Sequence, residues 1–178
     1  MAAICLLRAL SAVWPQAEAC VGSIGRGAVM VEMEKLDKLQ KTLNYQFKDN
    51  RLLIRAVTHK TFAYESQKED IRDNQKLEFL GDSILGMVTA EYLYRNNSAS
   101  GEGELTRRRS LLVNNVRLFE KAREMDLSQY LLVGKGEEKI GGRHNSKNLS
   151  CALEALIGAI YLDGGFEAAK KFIIEKIV

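Results

Sequence analysis

Proline is almost absent from this 178-residue chain: Pro15 is the only one, so residues 16–178 contain none. Proline breaks helix interiors and marks turns, and its absence favours long uninterrupted helices over a turn-rich all-β fold. Cysteine is scarce as well. Cys5, Cys20 and Cys151 are odd in number and lack paired spacing. That excludes a disulfide framework or a cysteine zinc site and points to a reducing, cytoplasmic setting. The two histidines, His59 and His144, have Ala56 and Gly141 three residues before them, so neither completes the Glu-x-x-His pair of a di-iron bundle. No run approaches the ~20 apolar residues of a membrane span, and no membrane partner is expected. Nor does one sign of charge dominate, with 26 basic against 23 acidic side chains and a net charge of +3.

What is present is ordinary globular material. Hydrophobic residues make up 46% and charged residues 28%, which excludes a disordered chain and suits about one domain. The mild basicity sits in one stretch: residues 104–147 hold ten basic and six acidic groups, a weak pointer to a polyanion. Residues 1–33 read differently from the rest, apolar up to Trp14 apart from Arg8 and then rich in Gly, Ser and Ala. They are expected to be a disordered leader, an organellar presequence or a stretch ahead of a true start at Met30 or Met33.

From Met33 onward the pattern is helical. Leu36, Leu39, Gln40 and Leu43 form an amphipathic turn, and Asp49 caps a helix over residues 50–57. Residues 65–73 read as a polar loop. Residues 76–94 predict a long helix with apolar side chains round nearly its whole circumference, which places it in the middle of a bundle. Residues 95–103 predict a loop, and residues 104–124 one basic amphipathic helix with Leu105, Leu111, Leu112, Val116 and Phe119 inward. A glycine-rich charged loop over 134–148 precedes a second apolar helix over 149–162, ended by Gly164-Gly165, and residues 166–177 close the chain. The fold class is all-α.

Some acids sit in the wrong place for a bundle core. Glu78 and Asp82 lie in the first apolar helix four residues apart, about 400° of rotation, so both point the same way. Glu154 lies within the second, in Ala152-Leu153-Glu154-Ala155-Leu156-Ile157, with nothing basic expected near it in sequence. A lone buried carboxylate is strongly disfavoured. If the helices pack together, three carboxylates share one small space and require a neutralising cation. Oxygen ligands without His or Cys suit Mg²⁺ or Mn²⁺. Such sites act on phosphates by lowering the pKa of a bound water and stabilising the in-line transition state. The alternatives for each acid are an exposed position or a salt bridge.

The run Asn74-Gln75-Lys76-Leu77-Glu78-Phe79-Leu80-Gly81-Asp82-Ser83 closely resembles the signature of ribonuclease III. Supporting stretches follow in the family's order over residues 34–178, among them Gly101-Glu102-Gly103-Glu104-Leu105-Thr106 and Leu153-Glu154-Ala155-Leu156-Ile157-Gly158. The resemblance implies an all-helical endonuclease domain, bacterial in type, that works as a homodimer and cleaves both strands of double-stranded RNA. Its products would carry 5′-phosphates and short 3′ overhangs, in ribosomal and other transcript processing. It implies Glu78, Asp82 and Glu154 as metal ligands for Mg²⁺ or Mn²⁺, with Asp82 and Glu154 the strongest catalytic candidates and Glu102 a further acid of the site.

Two residues depart from the family pattern. Gln75 stands where the family usually has Glu, and Cys151 where it has a metal-binding Asp, three residues before Glu154 on the same helix face. A thiol is a soft ligand poorly suited to magnesium, and losing an anionic ligand is expected to weaken metal binding by ~1–3 kcal/mol unless a retained water fills the place. Bacterial ribonuclease III continues into a double-stranded-RNA-binding domain, whereas this chain ends at Val178. RNA contact is therefore expected from Arg107, Arg108, Arg109 and the loop from Lys135 to Lys147. The alternative implied by these departures is a catalytically impaired RNA-binding or dimerisation module.

Overall fold

Residues 26–67, 71–97 and 99–178 are described by a computed structural model, with side chains from residue 34. Of the expected leader, residues 1–25 lie outside the described residues. The chain divides into two compact units, residues 1–37 and 38–178, and the second carries the fold. Helix α1 (Arg26–Leu43) is followed by α2 (Asn50–Ala56), α3 (Lys60–Ser66), α4 (Gln75–Asn96), α5 (Glu102–Val113), α6 (Asn115–Glu124), α7 (Lys135–Lys139) and α8 (Ser146–Lys176), with 3₁₀ turns at Leu127–Gln129 and Gly142–His144. No strand occurs among the described residues. A single bridge pairs Thr58 with Leu132. The expected all-α class is the one observed.

The core is built around α8. Every residue from Ala152 to Ile160 is buried, and its main contact is with α4, then with α6 and α2. Among the described residues α8 is the one helix long and apolar enough to cross a membrane, but 67% of its most apolar window is buried inside the protein. It is a core helix.

Gly165 (φ 80°, ψ −175°) leaves helical geometry and ends the apolar helix where the sequence places its end, and a second helix within the α8 range runs on to Lys176, burying Ala169, Phe172 and Ile173. Just before that break, Asp163 anchors the segment between α1 and α2. Its carboxylate accepts hydrogen bonds from the Tyr45 hydroxyl (2.7 Å) and from the backbone N–H of Lys48 (3.0 Å) and Asp49 (2.9 Å). Asp49 in turn caps α2 as its sequence suggests, accepting from the Arg51 N–H at 2.9 Å.

Three expectations need correction. The predicted single helix over 104–124 is two helices. Asn114 leaves helical geometry (ψ 159°) and its side chain accepts from the Arg117 N–H at 2.9 Å, so it caps α6 and turns the chain. Leu111 and Val116 are consequently exposed, and the buried residues of α6 are Leu118 and Ala122. The loops at 65–73 and 134–148 contain the end of α3 and all of α7. Finally, α4 is not enclosed on all sides: Phe79, Met87 and Tyr94 are 77%, 61% and 74% exposed. These three fall within about 80° on the helix surface, a single open apolar stripe.

Candidate functional site

Two glycines set the site's geometry. A Cβ built on Gly81 of α4 would lie 1.7 Å from the Glu154 carbonyl oxygen, and one built on Gly158 of α8 would lie 2.3 Å from that of Leu77. Only glycine at these positions lets the two backbones cross this closely. One turn before Gly81 stands Glu78. One and two turns before Gly158 stand Glu154 and Cys151. The crossing thus converts three helical spacings into one cluster, in which ligand atoms of Glu78, Cys151 and Glu154 all lie within 4.8 Å of one another.

Within it, the Cys151 thiol donates to Glu78 Oε1 at 3.0 Å. Burial pushes that thiol up to about 12, and Glu78 reinforces the shift. Glu154 is only 8% exposed, and its carboxylate accepts no hydrogen bond from any described residue. Its pKa is pushed up to about 7, first by burial and then by the charges of Asp82 and Glu78. Lys147 opposes this, with its Nζ 4.0 Å from Glu78 Oε1. The expectation that nothing basic lies near Glu154 in sequence is therefore wrong. Lys147, Cys151 and Glu154 follow one another at intervals of four and three residues, a single face of α8, and that spacing was readable.

The remaining candidates fall elsewhere. Asp82 is exposed rather than buried. It is near enough to act on Glu154, yet it lies outside the 4.8 Å cluster. Gln75 is exposed in the first turn of α4, its backbone N–H bonded to Asp73 Oδ1 at 3.1 Å. Glu102 begins α5, holds the Thr106 hydroxyl at 3.0 Å, and lines a groove with Glu91, Tyr94 and Arg109. That is thirteen residues along α4 from Glu78, about 20 Å by helical rise, so a single chain does not bring Glu102 to the cluster.

Of the basic candidates, Arg107 and Arg108 are both engaged by Glu104, at 2.9 and 2.7 Å. These arginines hold the Glu104 carboxyl far below the usual range. Arg109 and Lys135 have exposed side chains with no partner among the described residues.

A buried, unpartnered carboxylate beside a second carboxylate fits a divalent cation. The thiol beside them does not suit magnesium.

A family model described as Ribonuclease-III-like matches residues 49–178. Ribonuclease 3 of Caldanaerobacter subterraneus subsp. tengcongensis is 44% identical over 140 residues, and that of Oleidesulfovibrio alaskensis 49% over 139. These alignments cover 79% and 78% of this chain but only 61% and 60% of the relatives' length. Among solved structures, the nuclease domain of ribonuclease III from Campylobacter jejuni, described as flexible in a region involved in dimer formation, matches with a TM-score of 0.74. It is 42% identical, with 80% of this chain and 95% of that one covered.

Proposed function

Because the chain belongs to the ribonuclease-III-like family, we propose that it is a divalent-metal-dependent endoribonuclease that hydrolyses phosphodiester bonds of double-stranded RNA. The nuclease domain in this reading is residues 34–178, working in the cytoplasm on ribosomal and other transcripts. The observation that carries it is Glu154, a buried carboxylate without a hydrogen-bond partner among the described residues, clustered with Glu78 where two helices cross.

Glu78, Glu154 and the adjacent Asp82 would hold the cation, Mg²⁺ or Mn²⁺ in its place. Such an ion, when bound, lowers the pKa of water and stabilises charge building on the phosphate. The chain's own contribution is to preorganise the acids. Gly81 and Gly158 fix the helix spacing, and burial leaves the Glu154 side chain little room to turn away from Glu78. Arg109 and Lys135 supply phosphate contacts, with Arg107 and Arg108 available only as far as Glu104 releases them. Contacts of this kind follow A-form shape rather than base sequence and weaken as salt is raised.

Incubation with a long RNA duplex, beside one of its single strands, tests the reading. Divalent-metal-dependent cuts with 5′-phosphate ends are expected on the duplex alone. Equal degradation of the single strand would contradict it. A second reading, a catalytically impaired RNA-binding or dimerisation module, is favoured by one observation: a protonated Cys151 is one of the three members of the cluster and is hydrogen-bonded to Glu78.

The proposed assembly is a homodimer, for which the open stripe of Phe79, Met87 and Tyr94 supplies an apolar face. A second chain would also bring its own Glu102. Light scattering should give twice the chain mass. Met87→Glu, a substitution at an exposed site about two and a half turns from Glu78, should shift the protein to monomer without unfolding it. A parent already monomeric at micromolar concentration would contradict the dimer.

A further inference from the structure

The cluster is not a purely oxygen site. We propose that Cys151 is itself a metal ligand and that the site takes a divalent ion more tolerant of sulfur than Mg²⁺, Co²⁺ above all and Mn²⁺ to a lesser degree. This rests on the metal site proposed above but not on its catalytic use.

Three observations carry it. The Cys151 Sγ, a Glu78 oxygen and a Glu154 oxygen lie mutually within 4.8 Å, the spread of atoms that one ion can gather with small side-chain movements. Glu154 is more than nine-tenths buried, accepts no hydrogen bond from any described residue, and has its carboxylate turned into this cluster. The Cys151 thiol already points at Glu78 Oε1, 3.0 Å away, so the sulfur and the carboxylate oxygen face one another. Sulfur donors select borderline and soft ions, whereas Mg²⁺ demands oxygen and holds its waters. Replacing one of the anionic oxygens by sulfur therefore lowers affinity for Mg²⁺ while retaining it for transition ions. Lys147, 63% exposed and 4.0 Å from Glu78, is free to swing away when the cation arrives.

The test uses the full chain carrying Cys5→Ser and Cys20→Ser, so that Cys151 is the only thiol, titrated with Co²⁺ alone in anaerobic buffer. A thiolate-to-cobalt charge-transfer absorption should appear and saturate at one ion per chain. Cys151→Ser should abolish the band while keeping the helical circular dichroism. Cys151→Asp should also lack the band, and Mg²⁺ should compete for its site about 10-fold or more better than in the parent. Co²⁺ bound without the band, no Co²⁺ bound, or Mg²⁺ competing equally in parent and Cys151→Asp would each overturn the inference. Because no RNA is present, these results stand apart from the cleavage assay: the band can appear in a protein that cuts nothing.

Discussion

Glu154→Gln should abolish duplex cleavage, by about 10³-fold or more, while making the metal-free protein more stable at pH 8. The two effects have one origin. The folded pKa of Glu154 is about 7 against an ordinary 4.5, because burial and the charges of Asp82 and Glu78 outweigh the help from Lys147. Between those values the folded state binds a proton that the unfolded chain has released. The stability contribution is therefore complete below about pH 4.5 and is lost as pH rises through 7. A shift of that size corresponds to roughly 3 kcal/mol. Denaturant unfolding in chelator should show the parent weakening from pH 5 to pH 8 and the glutamine variant largely flat. A saturating divalent ion should restore the parent at pH 8 and stabilise the variant much less. A parent whose stability does not change with pH in chelator would contradict the burial of an unpartnered carboxylate.

Gly81→Ala should cost about 3 kcal/mol, lowering the melting temperature by around 10 °C, and should disperse the cluster. The new methyl would meet the Glu154 carbonyl oxygen at 1.7 Å, its carbon at 2.7 Å and the Gly158 nitrogen at 3.0 Å. All three are backbone atoms, so no rotamer change relieves the clash, and the two central helices must move apart. Gly86 on the same helix has nothing within 4 Å of an added Cβ. Gly86→Ala should therefore be neutral or stabilise by up to about 1 kcal/mol through helix propensity. Thermal melts of the two variants side by side separate a crossing-point effect from a general intolerance of α4. Equal destabilisation by both would contradict the close crossing.

Much of this was legible in the sequence, and what was not has physical causes. Proline scarcity and the two apolar helices pointed to the α4–α8 core, and Glu154 stood out because an acid amid Ala152 to Ile157 has no solvent to turn to. Asp82 is exposed where the apolar helix predicts burial, since hydrophobic periodicity reports that a face seeks apolar contact without saying what supplies it. The Phe79–Met87–Tyr94 stripe is open in a single chain, and Asp82 lies at its edge. The break at Asn114 was missed because the apolar spacing runs on across it, although an asparagine able to cap its own following turn was a signal. Lys147 is not an immediate neighbour of Glu154 in sequence, but two helical turns bring it back to the same face. The glycines' role at the crossing depends on long-range packing, which one helix cannot reveal.

The most direct measurement is cleavage of a long RNA duplex by the parent and by Cys151→Asp, in Mg²⁺ and in Mn²⁺. The parent should cut, better in Mn²⁺ than in Mg²⁺, with Cys151→Asp gaining chiefly in Mg²⁺. A parent inert in both metals, beside an active Cys151→Asp, would contradict the enzymatic reading and leave a binding module in its place.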